Sequence, residues 1–271
     1  MRARRGVPVA MTSAEAAQLA LQIDAPSAPV ELVRRPIVGG WVESIRTYPG
    51  YYHGNRIVLG APPTSVELAS WMTRYERLFA WRRAAYPGVV TWHTSFDQLI
   101  EIAPPGATIE RWIALTAPRS RAPDVRADVR LRAFDSAADW DWLIAVGEAE
   151  SPELGGFTRW HARTHEQLVA AGRGTWFALE HRGERVACAG LFVADGIARF
   201  ANVRTLEAHR RRGFGRALIE QLVQRVPSAV SHTVIVAERE SAGEALYRSV
   251  GFEPIIEIRS LMFSVGRSAA R

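Results

Sequence analysis

The segment at residues 203–218 reads VRTLEAHRRRGFGRAL. Apolar residues leading into it predict a strand over 197–205, and one-sided apolar residues after it predict a helix over 215–226. The first N–H groups of a helix lack partners within the helix, and the helix dipole adds positive potential there. Because Gly213 and Gly215 carry no side chains to keep phosphate oxygens from the backbone, the segment suits a pyrophosphate.

The alternative for this segment is an ordinary glycine-containing turn with a basic rim. Its arginines, Arg210, Arg211, Arg212 and Arg216, would then be solvated and bind no phosphate. The position of the loop between an apolar strand and an amphipathic helix favours phosphate binding.

Composition limits the class of protein. Of the 271 residues, 48% are hydrophobic and 23% charged, a balance typical of soluble globular proteins. No stretch approaches the roughly 18 consecutive apolar residues of a membrane span. No long apolar stretch follows the basic N-terminus, so we expect a cytoplasmic protein without a membrane partner. Cys188 is the single cysteine, which excludes an internal disulfide and a cysteine-based metal cluster.

The net charge of +6 rests on arginine, because the sequence contains no lysine. A nucleic-acid surface would account for this charge, and so would a genome biased toward arginine codons. A nucleic-acid surface should be clustered, whereas these arginines are spread along the whole chain. We therefore expect no nucleic-acid partner.

A composition change divides the chain. Two prolines, small residues and charges at 117–123 indicate a linker, so we predict two domains, 1–122 and 123–271. In the second domain, the predicted strands are 129–134, 176–180, 185–192, 197–205, a central 233–237 and closing strands within 254–265. One predicted helix of this domain begins at 136, and three more cover 158–170, 215–226 and 242–250. In the first domain, we predict a helical patch at 14–23, strands at 41–47, 55–59, 89–92 and 108–116, and a helix at 64–79.

The 203–218 segment resembles motif A of the GNAT superfamily of N-acetyltransferases, whose pattern is Gln/Arg-x-x-Gly-x-Gly/Ala. Arg210, Gly213 and Gly215 occupy its three fixed positions, and the order of elements over 128–265 is similar to that fold. The resemblance implies that acetyl-CoA binds here, with loop amides on the pyrophosphate and a bulged strand on the pantetheine arm. The implied binding residues are Val203, Arg204, Thr205, Arg210, Arg211, Arg212, Gly213, Phe214, Gly215 and Arg216.

A second resemblance lies at residues 246–252, which read LYRSVGF. In that family this tyrosine commonly protonates the departing thiolate, which implies that Tyr247 is catalytic; the alternative is a tyrosine that only packs. Glu240 and Gly243 stand where the family often has Asn and Ala. Helical spacing predicts that Tyr247 points away from the helix's packing face. That predicted face consists of Ala242, Ala245, Leu246, Ser249 and Val250.

The base that takes the amine proton is left open by the sequence. Glu148, Glu150 and Glu238 are candidates by position, and each also fits an exposed carboxylate. His161 and His165 lie one helical turn apart, but without a third ligand nearby we expect a solvated helix face and no metal site. Cys188 is expected in the core.

The first half resembles the degenerate N-terminal half of some two-domain GNAT proteins, through YPGYYHGN at 48–55 and GAPP at 60–63. Pro62 and Pro63 occupy the place of the pyrophosphate loop and have no N–H to donate. We therefore expect this half not to bind coenzyme A, to pack on the catalytic half and to be a candidate wall of the acceptor pocket.

These features predict an α/β protein with tandem GNAT-like folds, each a mixed, mostly antiparallel sheet flanked by helices. The expected activity is direct transfer of an acetyl group to an amine of a small molecule or peptide, in a monomer or homodimer. Two other classes stay open. A non-catalytic acyl-CoA-binding sensor would show no turnover, and an arginine-rich nucleic-acid binder would bind DNA with a steep salt dependence.

Overall fold

The computed structural model describes residues 15–16, 19, 22–82, 86–95, 103–117 and 126–265. The strands of the first half are β1 (Val33–Ile37), β2 (Gly40–Ser44), β3 (Arg56–Leu59), β4 (Gly88–Thr94) and β5 (Ala107–Ala117). Those of the second half are β6 (Val129–Ala133), β7 (Gly174–His181), β8 (Glu184–Ala194), β9 (Ile197–Thr205), β10 (His232–Glu238) and β11 (Glu253–Phe263). The longer helices are α1 (Ser65–Leu78), α2 (Ala137–Glu150), α3 (Gly155–Ala170), α4 (Phe214–Arg225) and α5 (Ala242–Ser249).

The strands of the described residues form one sheet in the order β1-β2-β3-β4-β11-β5-β10-β9-β8-β7-β6. Only β3–β4 and β9–β10 pair in parallel, and α1 and α4 connect the strands of these two pairs. This arrangement confirms the predicted fold class, a mixed and mostly antiparallel sheet flanked by helices.

The last strand of each half pairs in the other half. β5 runs antiparallel to β10, with Leu115 opposite Ile235. β11 lies between β4 and β5, with Leu261 opposite both Val90 and Ile109. The boundary predicted near residue 122 therefore separates two halves that share their central strands, and the division into two domains stays a prediction.

The sheet opens where β9 and β10 separate. The two strands pair only from Ile197–His232 to Arg199–Val234. In β9, the register against β8 shifts by one residue after Ala201, and Asn202 adopts a φ of 50°. An extra residue of this kind is a β-bulge, which bends the strand and re-aims its side chains.

Apolar cores lie on both faces of the sheet. In β7, Trp176 packs in the core beneath α2 and α3, and the next residue, Phe177, packs in the core beneath α4 and α5. This alternation follows from the two-residue period of a strand. Leu218 and Leu222 of α4 are fully buried, as the predicted amphipathic pattern requires.

Most predicted elements are confirmed to within a few residues. β1 was not predicted, and 254–265 forms one long strand, β11, where closing strands were expected. Of the helical patch at 14–23, Glu15, Ala16, Leu19 and Gln22 are helical and the remaining positions up to 21 lie outside the described residues. No helix in the described ranges is long and apolar enough to cross a membrane.

The exchange of β5 and β11 predicts that neither half folds alone. A fragment of residues 1–122 would lack the strand between β4 and β5, and a fragment of 123–271 would leave β11 without a neighbour. Unpaired backbone groups in a sheet interior are costly. Circular dichroism and denaturant titration should therefore show no cooperative unfolding for either fragment, whereas co-expression should restore it.

The control is the full chain cut by a protease at a site inserted between residues 118 and 125, which should keep its fold. Cooperative unfolding of either fragment as a soluble monomer would contradict the prediction.

Candidate active site

The loop before α4 leaves backbone N–H groups available. Gly213 adopts a φ of 81° at the N-cap position, and no side chain caps the helix. The first bond of the helix runs from the Ala217 N–H to the Gly213 carbonyl at 3.1 Å, so the three preceding helical N–H groups have no partner in the helix. A Cβ at Gly215 would lie 3.1 Å from both Thr205 Oγ1 and a methyl group of Leu246. The loop is thus a close-fitting cradle with free donors.

The side chains of this loop make contacts of their own. Arg210 donates from Nε to the Thr205 carbonyl at 3.2 Å, and Arg216 donates to Ser249 Oγ at 2.9 Å. Phe214, also a predicted binding residue, has its side chain buried in the core. It can therefore face a ligand with its backbone only. The structure brings the end of β9 and the glycine loop together, as the motif predicts.

The corresponding loop of the first half is closed by its own side chains. Thr64 Oγ1 accepts the Glu67 N–H at 3.3 Å, and Glu67 Oε2 accepts the Thr64 N–H at 2.7 Å. This capping box consumes donors that an anion would need, and it places a carboxylate at the helix N-terminus. Pro62 and Pro63 precede it.

A cavity of about 380 Å³ lies where β9 and β10 separate. Its walls come from both halves of the chain. Phe200 and Tyr247 line it from the second half, and Tyr51, His53 and Trp112 line it from the first half.

Tyr247 lies in the wall of this cavity and is 7% exposed. The predicted packing face of α5 is confirmed for Leu246 and Val250, which pack against the core. It is wrong for Ala242, Ala245 and Ser249, which are exposed, whereas Glu244 and Tyr247 are buried. Burial raises the pKa of Tyr247 to about 12, and the nearby charge of Arg199 acts against this rise. The phenol is therefore protonated at neutral pH.

Glu244 is buried on the same face because its carboxylate is fully engaged. It accepts from Arg239 Nη1 at 2.6 Å, from Arg248 Nε at 2.8 Å and from the Glu240 N–H at 2.6 Å. These bonds tie the first turn of α5 to Arg239 and Glu240, and Tyr247 packs in the core on the same face of the helix.

Charged side chains also line the cavity. Arg56 donates from Nε to Glu43 Oε2 at 2.7 Å and from Nη2 to Asp24 Oδ2 at 2.9 Å, and Arg34 donates to Glu43 Oε1 at 2.6 Å. Burial alone would raise the pKa of each carboxyl, but the arginine charges outweigh it and hold the pKa of both below the usual range. Both carboxylates are ionised at neutral pH.

The histidines around the cavity are uncharged at neutral pH. Burial, aided by the charge of Arg56, lowers the pKa of His53 to about 4. Burial lowers the pKa of His165 to about 4 as well, and it lowers that of His161 well below the usual value. The solvated helix face expected for His161 and His165 is therefore wrong. Tyr51 and Phe157 pack against His161.

The carboxylates predicted as bases lie away from the cavity wall. Glu148 pairs with Arg159 at 2.6 Å, and Glu150 accepts the Glu207 N–H at 3.1 Å. Glu238 is exposed at the end of β10. Cys188 is buried in the core, as predicted. Among the described residues, no group of three or more His, Cys, Asp or Glu is placed to hold a metal ion.

We predicted the first half as a candidate wall of the acceptor pocket, and the segment at 48–55 includes His53, but Asp24, Glu43 and Arg56 were not identified. These three residues carry no local motif and are far from Arg199 in the chain. Only the exchanged sheet brings these positions together.

The acetyltransferase (GNAT) domain family model matches residues 172–254. The chain resembles a GCN5-related N-acetyltransferase from Kribbella flavida, with 20% identity and a TM-score of 0.62 over 96% of this chain and 98% of that chain. It also resembles a functionally unknown conserved protein from Staphylococcus epidermidis, with 12% identity and a TM-score of 0.65 over 88% and 94% of the two chains. A tandem GNAT protein from the clavulanic acid biosynthesis pathway aligns over 97% and 99%, with 15% identity and a TM-score of 0.55.

No curated protein matches the chain. At these identities the solved structures show the fold, and the family model covers the strands, glycine loop and helix that carry the motif. Residues 172–254 therefore match an acetyltransferase (GNAT) domain, and the whole chain shares the fold of GNAT structures, among them a tandem GNAT protein.

Proposed function

We propose that the chain transfers the acetyl group of acetyl-CoA to an amine bound in the cavity. The observation that carries this proposal is the link between the glycine loop and the cavity through α5. Leu246 lies against Gly215 of the loop, and the next residue, Tyr247, lines the cavity. A coenzyme held by the loop would thus reach the cavity wall at the tyrosine.

The donor site fits acetyl-CoA in two respects. The uncapped N-terminus of α4 offers amide donors to the pyrophosphate, and close approach is possible because the loop carries glycine at 213 and 215. Beyond Arg199, the backbone of β9 no longer pairs with β10. That stretch includes Val203, Arg204 and Thr205, so its backbone is available to the pantetheine arm.

The chemistry requires one bond to form and one to break. The amine nitrogen attacks the thioester carbonyl, the C–N bond forms, and the C–S bond breaks. Tyr247 is protonated at neutral pH, since its pKa lies at about 12, and it donates its hydroxyl proton to the sulfur. The proton lost by the amine is taken up in the cavity, where the uncharged imidazoles of His53 and His161 are acceptors, directly or through water. Proton exchange with solvent then restores the phenol.

The acceptor class is tested by a screen of small amines and peptides with acetyl-CoA and detection of the released thiol. Acetylation of at least one amine is expected. Coenzyme A binding without turnover of any amine would favour the acyl-CoA-binding sensor instead.

Replacing either loop glycine by glutamate should abolish coenzyme A binding. A side chain at Gly215 would meet Thr205 and Leu246, one at Gly213 would strain a backbone with φ of 81°, and each carboxylate would repel the pyrophosphate. Calorimetric titration of Gly213→Glu and Gly215→Glu measures this loss. Gly183→Glu is the matched control, because Gly183 has a φ of 84° in a hairpin with open space around it. Wild-type affinity in both loop variants would refute the site.

Calorimetric titration of the wild-type chain should give one coenzyme A per chain. The N-terminus of α1 is closed by the capping box of Thr64 and Glu67, so the first half offers no equivalent anion site. A stoichiometry of two equal sites would show that the first half also binds the coenzyme.

Tyr247→Phe should lower kcat on the order of 10²-fold, within the range of general-acid catalysis. The KM for acetyl-CoA should change little, because the lost hydroxyl acts mainly in the transition state. Tyr86→Phe is the control, since Tyr86 is partly exposed and does not line the cavity. A variant with wild-type kcat would exclude Tyr247 as the acid, and a loss of thermal stability with unchanged kcat would assign it a packing role.

A further inference from the structure

One cation in the cavity has hydrogen-bonding capacity that the protein leaves unused. Arg199 lies on β9 with 13% of its side chain exposed. Its Nη1 donates to the Phe200 carbonyl at 3.0 Å. Its Nη2 is 3.8 Å from Asp24 Oδ1, which is beyond hydrogen-bond distance. Its Nε is buried and has no hydrogen-bond partner within the described residues.

The carboxylates near Arg199 are satisfied by other arginines. Asp24 accepts from Arg56 at 2.9 Å, and Glu43 accepts from Arg56 at 2.7 Å and from Arg34 at 2.6 Å. Arg199 is therefore the guanidinium of the cavity wall that no carboxylate of the described residues reaches at hydrogen-bond distance. The neighbouring His53 adds no charge, because burial lowers its pKa to about 4.

Desolvation makes this arrangement costly without a ligand. Burial lowers the pKa of Arg199, which means that its charged form is disfavoured where it lies. A buried charge is stabilised when an opposite charge and hydrogen bonds reach it. An anionic ligand would supply both, since a guanidinium binds a carboxylate in a fork geometry.

We propose that the acetyl acceptor is an amine that also carries a carboxylate, and that Arg199 binds this carboxylate inside the cavity. The inference rests on the proposed function, because it takes the cavity as the acceptor site. A single carboxylate would match the one guanidinium charge of Arg199 and could accept from its Nε, which has no partner among the described residues. A phosphate monoester carries about −1.5 to −2, which would exceed that charge and face the carboxylate of Asp24.

The position of Arg199 also limits the distance between the amine and the carboxylate of the acceptor. Arg199 and Tyr247 lie close enough for the guanidinium to act on the phenol's pKa, and both line the same cavity. The carboxylate would thus bind beside the reacting end of the acceptor. A small amino acid, with few carbons between amine and carboxylate, satisfies this geometry, and the volume of about 380 Å³ accommodates a molecule of that size.

The test uses matched probes that differ only at the carboxylate. One set is β-alanine, β-alaninamide and propylamine, and the other is L-phenylalanine, L-phenylalaninamide and phenethylamine. Each probe is measured in two ways: as kcat/KM for thiol release from acetyl-CoA, and as calorimetric affinity in the presence of coenzyme A. The variants are Arg199→Met, Arg199→Lys and, as control, Arg159→Met, since Arg159 lies on α3 with 63% of its side chain exposed.

In the wild type, at least one amino acid should exceed its amide and its simple amine in both measurements. Arg199→Met should lower its kcat/KM and affinity on the order of 10²-fold, as removal of one partner of a buried charge pair does. The values for the uncharged probes should fall by a much smaller factor, since Arg199 acts on their reaction only through its effect on the pKa of Tyr247. Arg199→Lys should recover part of the loss, and Arg159→Met should match the wild type.

Equal use of acids, amides and simple amines, or an equal loss for all probes in Arg199→Met, would overturn the inference while the acetyltransferase proposal stands. Failure of every amino acid to react or bind would also overturn it. Arginine-dependent binding of an amino acid without any acetyl transfer would support the carboxylate site and refute the proposed function.

Discussion

β11 completes the sheet of the first half, and β5 completes the sheet of the second. Each half thus satisfies the backbone hydrogen bonds of its central strands only with a strand from the other half. An unpaired central strand would leave a row of buried N–H and carbonyl groups without partners, which a folded protein avoids. The exchange therefore fixes the relative position of the halves, and every contact across the cavity depends on it.

The cavity follows from this constraint. Its charged wall comes from β2, β3 and the turn before β1, whereas Arg199 and Tyr247 come from the second half. The two halves also meet through aromatic packing, since Tyr48 of the first half stacks on Trp160 of α3 with ring centroids 4.7 Å apart. Neither half contains a complete pocket.

The β-bulge at Asn202 and a chain of side-chain hydrogen bonds together hold β9 apart from β10. The His161 carbonyl can only accept a hydrogen bond, so His165 Nδ1 carries the hydrogen and donates to it at 2.8 Å. His165 Nε2 is then an acceptor for Asn202 Nδ2 at 3.3 Å. This contact pins the bulged residue of β9 to α3. An uncharged His165 is needed for it, and burial provides that state by keeping the pKa at about 4.

Local signals were enough to predict most elements and the position of the glycine loop before α4. The glycines at 213 and 215 and the apolar face of α4 lie within one segment, so periodicity and helix-end chemistry suffice there. The strand β1 was missed because Val33–Ile37 contains two arginines and a proline and lies exposed at the sheet edge, so it lacks the alternation of a half-buried strand. The charged residues of the first half that line the cavity were not identified one by one, because they meet the second half through long-range strand pairing.

Helix α5 shows why periodicity alone misled. The predicted packing face was Ala242, Ala245, Leu246, Ser249 and Val250, of which Leu246 and Val250 do pack against the core. The first turn is instead held by Glu244, a charged residue that accepts hydrogen bonds from Arg239, Arg248 and a backbone N–H. Satisfied hydrogen bonds permit a carboxylate to be buried, and that possibility is invisible in a hydropathy pattern. The rotation that follows brings Tyr247 to the cavity wall.

The two crossover helices, α1 and α4, have the same place in the topology but differ at their N-termini. α1 and α4 each connect a parallel pair of strands, and both begin at a loop at the same place in their half. At α1, the side chains of Thr64 and Glu67 cap the first turn, so backbone N–H groups at this helix N-terminus already have partners within the protein. At α4, Gly213 has no side chain to do so. The capacity to bind an anion therefore depends on which atoms complete the first helical turn, and a repeated fold does not by itself repeat a site.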